Sequence, residues 1–161
     1  MSQNRGKQFE NVIRKSFERV EGVSIDRLND NTAGFKGVAG ICDFIVYKEP
    51  YEYYIECKSV HGASLPFRNI TDTQWEGLLE KSKIEGVYAG IICWWTQKDK
   101  TVFIPIQTLE LMRTIGMKSV RYDAIDDCDR DTDMIEIKGK KKRVFFDYNM
   151  EDFFNEVQSV R

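Results

Sequence analysis

Apolar residues recur along this chain with two different periods, and these periods predict its main elements. Over residues 3–21 they return every three or four positions, which predicts an amphipathic helix. Residues 41–47 and 51–57 are β-branched and aromatic runs on either side of a Lys-Glu-Pro turn, which predicts a β-hairpin. Residues 87–95 are almost entirely apolar and predict a central strand that is buried on both faces.

Shorter patterns predict the other elements. In chain order these are an edge strand at 23–28, a loop at 29–40, a helix that begins near Thr71 or Thr73 and is stopped by Gly86, a strand at 101–106, a helix at 108–115, an irregular stretch at 116–133, a hairpin of strands 134–138 and 143–148 around Gly-Lys-Lys-Lys, and a helix at 150–160 capped by Asn149. This order predicts an α/β fold with a mixed central β-sheet flanked by helices. We expect one domain over residues 1–161, with its core at 1–115 and the C-terminal hairpin and helix at 134–161.

The composition is that of an ordinary globular chain and argues against several classes of protein. The formal net charge of −2 does not mark a nucleic-acid binder, so a DNA-facing surface requires local clusters of Lys and Arg. No window approaches the length of a membrane span and the N-terminus lacks the apolar core of a signal peptide, so we expect a cytoplasmic protein. The cysteines at 42, 57, 93 and 128 form no Cys-x-x-Cys pair, which predicts reduced thiols and neither zinc nor disulfides.

The predicted hairpin has one register that brings charged residues together. With a loop at 48–51, the opposed pairs are 43 with 56, 45 with 54, and 47 with 52. Opposed residues point to the same side, and side chains two positions apart on a strand share a face. Asp43, Glu56 and Lys58 are therefore predicted to converge on one patch, which a slip of one residue would separate.

Two carboxylates and an ammonium at this spacing suit phosphodiester hydrolysis. Carboxylates that lie close together repel each other, and magnesium relieves this because it takes one or two carboxylates together with substrate phosphate and water. The carbonyl of Cys57 adds a further oxygen ligand, and Lys58 is placed to hold or help to deprotonate a water on the metal. The alternative is an ordinary solvated strand face, because Glu-x-Lys is a common short pattern.

The order Asp-x12-Glu-x-Lys, formed by Asp43, Glu56 and Lys58, resembles the core of the PD-(D/E)XK nuclease superfamily. Downstream, the sequence Ser-Leu-Pro-Phe-Arg-Asn-Ile-Thr-Asp-Thr-Gln at 64–74 resembles the RecU-type Holliday junction resolvases of Gram-positive bacteria and their phages. In that family Ser-Phe-Pro-Leu-x-Asn and a helix with Gln in its first turn follow the active strand. The resemblance implies a restriction-endonuclease-like fold.

The N-terminal segment and two later strands extend the resemblance. Asn4-Arg5-Gly6, followed by Phe9-Glu10, is similar to the Asn-Arg-Gly segment of that family. The apolar strand at 87–95 and Val-Phe-Ile-Pro at 102–105 continue the match. The resemblance covers roughly residues 4–120, and it gains weight because several spaced elements agree.

The resemblance implies a homodimeric endonuclease that depends on Mg2+ (or Mn2+) and cuts branched double-stranded DNA at four-way junctions. By position it implies Asp43 and Glu56 as metal ligands, Lys58 as the catalytic lysine, Gln74 as an active-site helper, Glu10 as an outer metal contact, and Arg5 and Lys7 as phosphate contacts. Glu10 lies at the rim of the apolar face of its helix, and this position alone favours a solvated carboxylate.

Two features depart from that family. The family carries a long stalk that enters the junction centre, whereas only about fifteen residues separate the first strand here from Asp43. Residues 121–161 have no counterpart there. The missing stalk leaves two alternatives to a junction resolvase: another DNA nuclease of the superfamily, of the repair or restriction type, and a non-catalytic DNA-binding domain. The short chain favours a phage origin.

Basic residues supply the predicted contacts to the DNA backbone. The densest cluster is predicted at the tip of the second hairpin, where it would enter a groove or a junction centre: Lys138, Lys140, Lys141, Lys142 and Arg143. The further candidates are Lys36, Arg68 and His61. A lysine-rich solvated turn and solvated loop residues are the alternatives. The tryptophans at 75, 94 and 95 are expected in the core and not stacked on bases.

Overall fold

Helices and strands alternate along the computed structural model, which describes residues 2–28, 40–126 and 133–160. In chain order they are α1 (Ser2–Glu18), β1 (Val23–Arg27), β2 (Phe44–Lys48), β3 (Tyr51–Val60), β4 (Ser64–Pro66), a 3-10 turn (Phe67–Asn69), α2 (Asp72–Ser82), β5 (Val87–Trp95), β6 (Lys100–Pro105), α3 (Ile106–Thr114), β7 (Ser119–Arg121), β8 (Ile135–Glu136), β9 (Gly139–Lys141), β10 (Phe146–Tyr148) and α4 (Met150–Ser159). None of the helices in these ranges has both the length and the apolarity needed to cross a lipid bilayer.

Six of the strands form one mixed sheet, in the order β1-β2-β3-β5-β6-β8. Neighbouring strands in it are antiparallel except for β3 and β5, which run parallel. Every residue of β5 is buried, as its apolar sequence predicts for a strand at the centre of a sheet. The predicted α/β fold, with a mixed central sheet flanked by helices, is confirmed.

Helices cover both faces of this sheet and bury two apolar clusters. Helices α1 and α4 contribute to one cluster, in which the rings of Phe17 and Phe154 lie 5.6 Å apart. Helices α2 and α3 contribute to the other, which contains Leu78 and Leu109. Three tryptophans are each 2% exposed or less, which confirms that they belong to the core: Trp75, Trp94 and Trp95.

The hairpin predicted at 134–148 is wrong in its pairing and its turn, although a strand lies within each of the two predicted ranges. Strand β8 pairs with β6 and extends the main sheet, whereas β9 and β10 form the hairpin. The Gly-Lys-Lys sequence that indicates a turn is itself strand β9. A Cβ on Gly139 would lie 2.4 Å from the carbonyl oxygen of Asp147, so the close approach of the two strands requires glycine at this position.

A second, two-stranded sheet appears where the sequence indicates irregular structure. Strand β7 lies within the stretch 116–133 and pairs antiparallel with β4, with Val120 opposite Leu65. Both of these residues are fully buried. The pair ties the segment after α3 to the segment that precedes α2, and so fixes the position of the 3-10 turn.

Candidate active site

The hairpin of β2 and β3 carries the acidic residues, and two of its three predicted pairs are confirmed, 45 with 54 and 47 with 52. Ile45 lies opposite Tyr54 in the ladder. Asp43 immediately precedes β2 and lies outside the paired residues, and its backbone N–H donates to the carbonyl of Ile55 at 3.0 Å. The side chain of Asp43 therefore lies beside the part of β3 that begins at Glu56.

Asp43 is mostly buried beside a second carboxylate. The backbone N–H of Cys57 donates to Asp43 Oδ2 at 2.7 Å and so orients the side chain. Burial and the charge of Glu56 raise the pKa of Asp43 to about 8, although the Cys57 N–H and the Lys58 ammonium act in the opposite direction. Two neighbouring carboxylates in a buried position repel each other when both are ionised, and a divalent cation relieves this repulsion.

Glu56, Lys58 and Gln74 form a closed group of polar contacts. Glu56 Oε1 accepts from Lys58 Nζ at 2.9 Å and from Gln74 Nε2 at 2.8 Å. Lys58 Nζ also donates to Gln74 Oε1 at 3.2 Å. Because Glu56 is only 4% exposed, its charge is compensated largely by such contacts and little by water. The structure thus brings together three of the residues that the sequence placed at the site.

A capping box at the start of α2 holds Gln74 in this group. The hydroxyl of Thr71 accepts from the backbone N–H of Gln74 at 3.2 Å, and Gln74 Oε1 accepts from the backbone N–H of Thr71 at 3.0 Å. The same amide oxygen accepts the contact from Lys58. One side chain therefore serves both the helix cap and the acidic site. The Thr-x-x-Gln pattern is a sequence signature of such a cap.

We expect Thr71→Ala to lower the free energy of unfolding by about 1 kcal/mol, because α2 loses the side-chain acceptor of its first turn. Denaturant unfolding measures this loss. Thr73→Ala is the matched control, since Thr73 lies in the same turn, is exposed and does not cap the helix. Its effect is expected to stay within about 0.5 kcal/mol. Equal losses in both variants would contradict the capping role of Thr71.

Helix α2 lies very close to the segment that leads into β2. A Cβ on Gly77 would lie 2.6 Å from Cγ1 of Ile41, two residues before Asp43. Such a distance is far shorter than a van der Waals contact, so the helix reaches this position only because residue 77 has no side chain. Gln74 is one turn away, and its distance from the hairpin depends on this close approach.

Glu10 is not the solvated carboxylate that its place on α1 favours. Its side chain is only 16% exposed and forms an ion pair of 2.9 Å with Arg27 at the end of β1. The charge of Glu10 also contributes to the raised pKa of Asp43, so the two carboxylates act on each other electrostatically. No local pattern pairs Glu10 with Arg27, because the two residues lie on different elements. A role for Glu10 as an outer metal contact stays a prediction.

The acidic pair fits a divalent cation, although it does not form a complete cage. Among the described residues, no three His, Cys, Asp or Glu side chains come together as a metal site. Magnesium needs only one or two carboxylates, because water and substrate phosphate supply the other oxygens. The raised pKa of Asp43 is the observation that supports the fit, since burial and the neighbouring charge of Glu56 both disfavour its ionised form. The carbonyl of Cys57 stays a predicted ligand.

The chain is similar in structure, but not detectably in sequence, to known proteins. No protein-family model matches the chain, and no curated protein matches its sequence. Its backbone is similar to that of a Holliday junction resolvase. That protein comes from the archaeal hyperthermophile Archaeoglobus fulgidus; the identity is 19%, the TM-score is 0.46, and the match covers 63% of this chain and 78% of that chain. A similarity of this degree leaves the chemistry of this chain to its own side chains.

Three of the other predicted DNA contacts lie on the described surface. Arg5 and Lys7 are exposed on the first turns of α1, and Arg68 is exposed in the 3-10 turn. Lys36 lies outside the described residues. His61, at the end of β3, shares hydrogen bonds with neighbouring side chains, its Nε2 lying 2.9 Å from Gln97 Nε2. The structure leaves their contact with DNA as a prediction.

Only part of the C-terminal basic cluster lies at a hairpin tip, in the connection between β9 and β10. Lys140 and Lys141 belong to strand β9, while Lys142 and Arg143 follow it in the turn, and Lys138 precedes it. Part of the charge is paired, because Lys141 forms an ion pair with Asp99 and Lys142 Nζ lies 3.1 Å from Asp147. The charge of the cluster is therefore partly neutralised, and its binding of DNA stays a prediction.

Proposed function

We propose that this protein is a magnesium- or manganese-dependent endonuclease that cuts branched DNA at four-way junctions, a short-stalk resolvase of the RecU type from a phage. The observation that carries the proposal is the contact group of Glu56, Lys58 and Gln74 beside Asp43. These residues occur in the order, and on the hairpin and helix, that the resemblance to the PD-(D/E)XK core requires. In this proposal residues 1–161 form one nuclease domain, and two copies form a homodimer.

Asp43 and Glu56, with the Cys57 carbonyl, would hold the metal. When bound there, a divalent cation supplies a water of lowered pKa and stabilises the charge that develops on the phosphate. The N–H of Cys57 fixes the carboxylate of Asp43 in one orientation, so the ligand does not have to be ordered when a cation arrives. Glu56 is held in the same way by Gln74.

Lys58 is the cation that this chain itself contributes to the site. Its ammonium is kept near the carboxylates by Glu56 and by Gln74, at 2.9 and 3.2 Å. An ammonium carries three N–H donors, so it can keep one of these contacts and donate to a phosphate oxygen as well. Gln74 acts here as a positioning residue, because it binds Lys58 and Glu56 at the same time.

Cleavage of a panel of labelled substrates tests the proposal. A four-way junction, a flap and a linear duplex of shared sequence are incubated with magnesium, manganese or EDTA. We expect metal-dependent cleavage of the junction, slower cleavage of the linear duplex, and a mass in solution of twice one chain. Equal cleavage of linear duplex would favour another nuclease of the superfamily, and binding without any cleavage would leave a non-catalytic DNA-binding domain.

A further inference from the structure

A groove beside the acidic site takes no part in the chemistry described above. It lies between the 3-10 turn and the end of α3, has a volume of about 480 Å³, and is lined in part by Arg68, Thr71 and Arg113. Its floor is apolar and rigid, because Phe67 and Trp75 are buried with their ring centroids 5.4 Å apart. Thr71 connects the groove to the site, since its capping box holds Gln74.

Arg113 is held in one orientation at the wall of this groove. Its guanidinium carbon lies 4.2 Å from the ring centroid of Trp75. Its Nη2 donates to Glu110 Oε2 at 2.6 Å, and the same oxygen accepts from Trp75 Nε1 at 2.6 Å. A guanidinium has five N–H donors in a planar fork, and this contact engages one of its nitrogens. The side chain is 47% exposed, so its other donors are available to an anion.

Positive charge exceeds negative charge around the groove. Arg68 and Arg113 line the groove. Lys118 is exposed and lies next to the groove, as its carbonyl accepts from the backbone N–H of Phe67 at 2.9 Å. The acidic side chains here are Asp72, which lines the groove, and Glu110, which is engaged by Arg113. A ligand with anionic groups spaced along a chain complements this arrangement.

We infer that the groove binds the phosphodiester backbone of the DNA strand next to the scissile phosphate, with Arg113 and Arg68 as the phosphate contacts. The inference rests on the proposed function, because the occupant is the strand that runs out of the acidic site past the first turn of α2. The floor offers little ring surface for base stacking, as Trp75 is 2% and Phe67 8% exposed. Binding in the groove is therefore independent of base sequence.

The test is the salt dependence of DNA binding by the full chain in EDTA, where the metal-dependent reaction does not proceed. Affinities for a four-way junction and a linear duplex are measured over a series of salt concentrations for Arg113→Gln, Arg68→Gln and the double variant. Each single variant is expected to bind about 3- to 10-fold more weakly and to reduce the slope of log Kd against log salt by about 1. The double variant is expected to reduce the same slope by about 2.

Arg121→Gln is the matched control. Arg121 is also an exposed arginine beside a carboxylate and an aromatic ring: its Nε lies 2.9 Å from Asp123, and its guanidinium carbon lies 5.7 Å from the ring of Tyr122. It does not line the groove. We expect its affinity and salt slope to equal those of the wild type. Arg113→Lys keeps the charge but not the planar fork, so it is expected to keep the salt slope and lose part of the affinity.

The outcomes separate this inference from the proposed function. If Arg113→Gln and Arg68→Gln bind DNA with the same affinity and slope as Arg121→Gln, the groove assignment is overturned even where the wild type cuts junctions. If both lose salt slope while the wild type cuts no DNA, the groove stands and the nuclease proposal fails. Thermal unfolding of each variant checks that it is folded. Arg68 is exposed and is not part of the Trp75–Glu110 contact, so Arg68→Gln tests the groove without disturbing that contact.

Discussion

Replacement of Lys58 by methionine is expected to slow junction cleavage by about 100- to 1000-fold, the usual effect of removing one group that stabilises developing charge. The ammonium of Lys58 lies 2.9 Å from Glu56 and is the cation built into the acidic site. Methionine keeps an unbranched apolar side chain of similar length but has no charge and no N–H donor. Single-turnover cleavage at saturating enzyme measures the effect, and binding of the junction is expected to change little.

Lys100→Met is the control for this experiment. Lys100 lies at the start of β6, is 14% exposed against 20% for Lys58, and forms an ion pair of the same length, 2.9 Å, with Asp126. The variant removes a lysine of similar burial and leaves the acidic site intact, although its partner Asp126 is 61% exposed and Glu56 is buried. We expect Lys100→Met to cut junctions at close to the wild-type rate. If Lys58→Met cuts junctions as fast as Lys100→Met, Lys58 takes no part in the reaction.

Metal binding is expected to be roughly 10- to 200-fold weaker at pH 6 than at pH 8.5, because a carboxyl group must lose its proton to bind a cation. Burial and the charge of Glu56 raise the pKa of Asp43 to about 8. At pH 6 the metal therefore competes with a proton, and at pH 8.5 it mostly does not. The increase in Tm caused by manganese, measured at both pH values, reports this difference.

The same group makes the stability of the metal-free protein depend on pH. The unfolded chain releases the proton of Asp43 near pH 4, whereas the folded protein keeps it until about pH 8. The folded state binds more protons in between, so this contribution to stability is complete below pH 4 and is lost as pH rises through 8. Asp43→Asn has no such proton and is expected to show neither this loss nor a metal-dependent Tm. A metal effect retained in Asp43→Asn would place the cation elsewhere.

Local patterns were enough to predict the part of the site that lies on the hairpin. A loop at 48–51 and alternating faces define a single register, so the pairing of residue 45 with 54 and of 47 with 52 follows from sequence spacing alone. The helix that carries Gln74 was also predictable, since Thr71 begins a capping-box pattern. The amide of Gln74 contacts both the backbone N–H of Thr71 and the ammonium of Lys58. This double contact depends on how α2 packs against the sheet, and spacing along the chain does not encode it.

The predictions that failed concern pairings between distant segments. Gly139 and the lysines after it have the composition of a turn, but the glycine is needed for close approach to β10, and β8 finds its partner in β6 about 30 residues earlier. Glu10 likewise looks solvated from the period of α1 alone, until β1 brings Arg27 beside it. Tertiary contacts decide such positions, and hydrophobic period carries no information about them.

The absence of a side chain at Gly77 sets the distance between α2 and the segment at Ile41 that precedes β2. An added methyl group would push the helix outwards, and the amide of Gln74 would then move off its two partners without any change to the carboxylates. If the proposed nuclease function holds, a substitution at Gly77 is expected to change activity through the position of Gln74, although residue 77 is not part of the acidic site.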